Sequence, residues 1–144
     1  MDIRKIKHGA KTVIEWATVE LGKNDEVIHR LTSEDAPHLD FSEALHTLCA
    51  AALKSVGRFG SVFETAKLTE VAYKEKTGGD GDVTESLTIV IDASTDGDVE
   101  IAVKLRFAAI AGALETALLA VFERAEQYIG GTRSQADLFE EAAA

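Results

Sequence analysis

The sequence predicts an α+β fold: one domain built on an antiparallel sheet of about five to six strands, with two helices packed on one face. Three observations carry that prediction. Segments with strand-type alternation come in two groups, each group is followed by a segment with helical apolar spacing, and glycine-rich turns separate strands within a group. A chain of 144 residues suits a single domain, and 46% hydrophobic against 28% charged residues is an ordinary globular balance.

The N-terminal MDIRKIKHGAK alternates apolar and basic residues as a strand does, and KTVIEWATVEL (11–21) is rich in β-branched and aromatic residues. His8-Gly9-Ala10 and Gly22 to Asp25 read as turns, and EVIHRL (26–31) as a third, short strand that completes a meander. Asp40 stands as an N-cap with Glu43 three residues on. Phe41, Ala44, Leu45, Leu48, Cys49, Ala52, Leu53 and Val56 then recur at helical spacing, and Gly57 closes the helix. From 62 to 76 the chain is extended again, and TGGDGD (77–82) turns it. ESLTIVIDA points Leu87, Ile89, Ile91 and Ala93 inward, Asp96-Gly97 turns, and VEIAVKLRF points Val99, Ile101, Val103, Leu105 and Phe107 inward. Glu100, Lys104 and Arg106 take the other side, so one face of the sheet is wet. A last helix, about 109 to 129, carries the stripe Leu114, Ala117, Leu118, Val121, Phe122, Ala125, Tyr128 and Ile129 and stops at Gly130-Gly131. No internal sequence repeat stands out. Residues 1–131 form the domain, and 132–144 form a C-terminal tail outside the core pattern.

Fifteen Lys and Arg against 25 Asp and Glu give a net charge of −10, which repels phosphate backbones and anionic lipids on average. Direct nucleic-acid binding is therefore not expected, and neither is a membrane partner. Cys49 is the single cysteine, which rules out an internal disulfide. With no signal segment and no long apolar run, a cytoplasmic location is the expectation.

Most candidate chemistry fails on context. TGGDGD lacks the Gly-Lys-Ser/Thr ending of a phosphate loop and joins two strands, so it reads as a hairpin turn. DASTDGD (92–98) begins like a calcium loop, but its twelfth position is Val103 where a bidentate Glu is needed. His8, His29, His38 and His46 share no zinc-binding helical spacing. Cys49 sits in an apolar stripe, where a thiol is an inert small hydrophobe. No enzyme, cofactor or metal site is expected.

The tail is the exception. It contains QADLF, Gln135 to Phe139, which places Leu138 and Phe139 side by side in a polar segment. The pentapeptide resembles the segment by which bacterial proteins dock on the DNA polymerase sliding clamp: Gln, any residue, Asp or Ser, Leu or Met, Phe. The resemblance covers only these five residues of 144. The resemblance implies that Leu138 and Phe139 enter an apolar cleft, that Gln135 hydrogen-bonds through its amide in a smaller subsite, and that Asp137 sits at the polar rim, with Ala136 permissive. Peptides of this kind reach micromolar affinity, about −8 kcal/mol, because an unfolded tail loses entropy on docking. The clamp is a ring with one cleft per protomer, so a homo-oligomeric bearer would bind bivalently.

The expectation is a non-enzymatic clamp-binding accessory or regulatory protein of bacterial or phage replication. Two alternatives stay open. Ser134 also suits an N-cap for a short helix that turns Leu138 and Phe139 back onto the body or a neighbouring subunit, as in a self-assembling adaptor. A ligand pocket near Trp16, His38 and His46 would instead make the body a small-molecule domain.

Overall fold

The computed structural model describes residues 2–19, 26–34, 39–56, 66–95 and 99–131. In chain order the elements are β1 (Asp2–His8), β2 (Thr12–Val19), β3 (Glu26–Ser33), α1 (Leu39–Val56), β4 (Lys67–Thr77), β5 (Val83–Thr95), β6 (Val99–Phe107) and α2 (Gly112–Ile129). All six strands form one sheet in the order β3-β2-β1-β4-β5-β6, with every neighbouring pair antiparallel. This is the expected α+β fold. No described helix is long and apolar enough to cross a membrane.

One row of apolar side chains explains the sheet. Leu31, Ile14, Ile6, Val71, Ile89 and Leu105 stand opposite one another across all six strands. The four inner ones are essentially fully buried, and Leu105 is 8% exposed. Period-two alternation then sends Lys5, Lys7, Ala72, Thr88 and Arg106 to the opposite face. Both helices cover the apolar side: α1 packs on α2 and β4, and α2 on β1. They run antiparallel, because the start of α1 meets the end of α2 through the edge-on Phe41 and Tyr128 rings (5.7 Å) and the Asp40–Arg124 pair (3.7 Å).

The topology is duplicated although the sequence shows no repeat. Each half is three strands and a helix, and the halves meet at Ile6 opposite Val71, as a two-fold axis normal to the sheet there requires. β1 and β4 each carry a register shift at the same distance before that pair, between Ile3 and Lys5 and between Leu68 and Glu70. Both helices have 18 residues and bury matching positions: Phe41 and Leu114, Leu45 and Leu118, Leu48 and Val121, Ala52 and Ala125. What repeats is the size and polarity of buried positions rather than residue identity.

Three boundaries differ from the sequence reading. α1 begins at Leu39, so Asp40 lies in its first turn, where a carboxylate favours the positive helix end, rather than before it as a cap. α2 begins at Gly112 instead of 109. Ala111 is extended and offers no side-chain cap, and Gly112 has φ +63°, which delays the first helical turn. β5 starts at Val83, two residues early, because the 78–82 turn is tight. Gly78 N–H donates to Asp82 O (2.7 Å), Gly81 (φ +86°) donates to Gly78 O, and Asp80 Oδ1 accepts from Asp82 N–H. Those backbone donors hold the Asp80 carboxyl below its ordinary value.

Candidate functional site

The four motif residues, Gln135, Asp137, Leu138 and Phe139, lie outside the described residues, and so does His38. What is described is the point from which the tail departs. α2 ends at Ile129, Gly130 N–H returns to Glu126 O (3.0 Å), and Gly131 N–H returns to Tyr128 O (3.1 Å). Gly131, at φ +112°, takes a conformation that other residues rarely adopt. The helix therefore stops beside the first turn of α1, where Leu39 is exposed.

The remaining sequence candidates are dispersed. Cys49 is buried in the core and its thiol is pushed up by burial. His46 is exposed on α1. His29 stacks on Trp16 (5.3 Å, 14° between planes), with its Nε2 2.9 Å from Thr18 Oγ1. His8 is half-buried, its Nδ1 has no partner among the described residues, and desolvation lowers its pKa. No group of three or more ligating side chains that could hold a metal occurs among the described residues.

Two features were missed by the sequence reading. The first is a cavity of about 230 Å³ at the sheet end near the start of α2, bordered by Asp2, Tyr73, Glu75, Glu85, Leu119 and Phe122. It lies away from the Trp16–His29 stack. Tyr73 Oη is 2.7 Å from Glu75 Oε1 and 2.9 Å from Glu85 Oε1, and its ring meets Phe122 edge-on. Desolvation, then these two carboxylates, push the phenol well above its ordinary value. A phenol held protonated donates a hydrogen bond but does not serve as a base at neutral pH. The signal was available: Glu75 and Glu85 have the inward parity of Tyr73 and Leu87, where apolar residues are expected.

The second feature is the open sheet face. Its first half is charge-paired: Arg4 with Glu26 (2.7 Å) and Asp2 (3.1 Å), Lys5 with Glu70 (3.1 Å), Arg30 with Glu15 (3.5 Å). Lys7, Lys74, Lys76, Lys104 and Arg106 are exposed on the same face, and none has a carboxylate within ion-pair distance among the described residues. Exposed carboxylates on the helix side include Asp40, Glu43, Glu115, Glu123 and Glu126. The same face also carries exposed Asp92 and Glu100 toward the start of β6, so the cation surplus is confined to Lys74, Lys76, Lys104 and Arg106, which strand alternation in YKEK and VKLRF encodes and chain-wide charge hid.

Comparison of the chain with protein-family models, with curated proteins and with solved structures finds no match.

Proposed function

We propose that the protein is an accessory or regulatory factor of bacterial or phage DNA replication that docks on the sliding clamp through its C-terminal tail. The observation that carries this is the five-residue match, Gln135 to Phe139. Two neighbouring apolar side chains supply the anchor, Gln135 fixes register by hydrogen bonding, and Asp137 keeps the rim polar. The placement adds support. Gly130 and Gly131 end α2, so the motif follows a helix stop and is not part of that helix. Reach sets the geometry of the complex. From Gly131 to Gln135 the chain spans at most about 14 Å, so a docked tail holds the α+β body against the clamp.

The test is retention of the full chain on immobilised bacterial sliding clamp, beside Leu138→Ala/Phe139→Ala. Truncating two anchors of a micromolar peptide removes several kcal/mol, enough to abolish retention. Equal retention of both chains, or of neither, refutes the reading. If the wild type is not retained and Phe139 is shielded from solvent in the free protein, the self-packing adaptor takes its place.

A further inference from the structure

We infer that the open face of the sheet is a docking surface for the sugar-phosphate backbone of duplex DNA. The choice of DNA over RNA rests on the clamp-docking reading; the surface itself does not. The cations concentrate on β4 and β6, around the hydroxyl line Thr84, Ser86 and Thr88 of β5. Lys74 stands opposite Ser86, and Arg106 opposite Thr88. Strand spacing places Lys74 and Arg106 about 12 Å apart, and Lys104 and Arg106 about 7 Å apart. Phosphate contacts draw on these groups: lysine and arginine for charge, and serine and threonine hydroxyls as donors.

The two halves of the fold sharpen the argument. By the two-fold, Arg30 beside Glu15 corresponds to Lys104 beside Val90, since Leu31 and Ile14 correspond to Leu105 and Ile89. In the first half the cation is neutralised by its cross-strand neighbour. In the second half that neighbour is a valine, and Lys104 has no carboxylate within ion-pair distance among the described residues.

Three properties select the partner. The floor between the cations is Ala72, Thr88 and Val90, with Ala102 and the exposed Asp92 in the next row, and it lacks the buried aromatic anchors that concentrate binding energy in protein–protein interfaces. No aromatic residue points to this face among the described residues, so unstacked bases find no platform and the duplex is favoured over a single strand. The net charge of −10 does not forbid the contact. The helix-side carboxylates stand beyond a helix about 10 Å thick, a full Debye length away at about 0.1 M salt, and the exposed carboxylates of the face itself, Asp92 and Glu100, lie toward the start of β6, away from Lys74, Lys76 and Arg106.

The experiment is fluorescence anisotropy of a labelled DNA duplex titrated with the full chain at about 0.1 M salt, repeated across salt concentrations. Wild type is expected to bind with a dissociation constant of about 1–100 μM, with log affinity falling linearly in log salt. Lys74→Glu/Lys104→Glu/Arg106→Glu, checked for an unchanged thermal midpoint, is expected to bind at least about tenfold more weakly and with a shallower slope, by about 0.9 for each phosphate no longer neutralised. Lys54→Glu, on the helix side, and the Leu138→Ala/Phe139→Ala tail variant are expected to bind as wild type does. Absence of wild-type binding overturns the inference, and so does equal weakening by Lys54→Glu. Loss of binding in the tail variant overturns it too, as does binding of polyglutamate in preference to DNA. A chain that binds DNA but not the clamp refutes the tail reading alone, and the reverse outcome refutes this one alone.

Discussion

Truncating Ile6 tests whether the fold is centred where the register places it. Ile6 is fully buried and stands between Ile14 and Val71, in the middle of the row that crosses the sheet. Ile6→Ala removes three carbons, worth about 2.4 kcal/mol of transfer free energy at about 0.8 each. The cavity that closely packed neighbours cannot fill brings the cost to about 3–4 kcal/mol. Leu31→Ala removes the same three carbons at the end of the row, where the residue is only partly buried on an edge strand, and should cost about 1 kcal/mol. Urea unfolding reads both. With a slope of about 1.5–2 kcal/mol/M the midpoint falls by roughly 2 M for Ile6→Ala and about 0.5 M for Leu31→Ala, at unchanged slope. The two-fold adds a sharper expectation: Ile14→Ala and Ile89→Ala, both at fully buried equivalent positions, should cost the same within about 1 kcal/mol. Equal shifts for Ile6→Ala and Leu31→Ala, or a wide gap between Ile14→Ala and Ile89→Ala, would refute both the row and the duplication.

Two further expectations follow from titratable groups shifted by desolvation. Cys49, 3% exposed with its thiol pushed up by burial, should resist alkylation in the native protein and react in step with urea unfolding; rapid native labelling would contradict its place in the α1 stripe. His8 has a lowered folded-state pKa, so burial favours its neutral form. Its contribution to stability is full above the unfolded value near 6.5 and is lost as pH falls from there toward the folded one. His8→Leu should flatten the urea midpoint between about pH 7 and 5 relative to wild type, and an unchanged pH profile would show that the imidazole is solvated in the folded state.

The elements were legible because both periodicities are strong. Leu87, Ile89, Ile91 and Ala93 are all buried as alternation requires, and so is most of the α2 stripe. Strand order was not legible. The central pairing joins β1 to β4 across the whole first half of the chain, and Ile6 and Val71 carry no mark that distinguishes them from other buried aliphatics. The register shifts in β1 and β4 were equally silent, since an extra residue in a strand has no compositional signature here. The tail motif could be read because a linear segment needs no fold to present it. The cation surplus could not, because pairing decides it: Lys5 and Lys7 look alike in sequence and Glu70 stands opposite Lys7, yet the ion pair it forms is with Lys5.

A two-fold axis normal to a sheet maps each face onto itself, so once α1 covers one side, α2 must cover the same side. Among the described residues no helix covers the second face in either half, and an antiparallel sheet tolerates this only where alternation makes that face polar. Duplication thus leaves an uncovered surface whose charges can diverge between halves without disturbing the core. Arg4, Lys5 and Arg30 in the first half are paired, whereas Lys74, Lys76, Lys104 and Arg106 in the second have no carboxylate within ion-pair distance among the described residues, and that is the divergence. The tail departs from the opposite layer, at the end of α2, so clamp and duplex would meet different sides of the body. With the tail no longer than about 14 Å from Gly131 to Gln135, one docked contact confines the other to a small volume. Weak affinities on each side would then multiply through effective concentration.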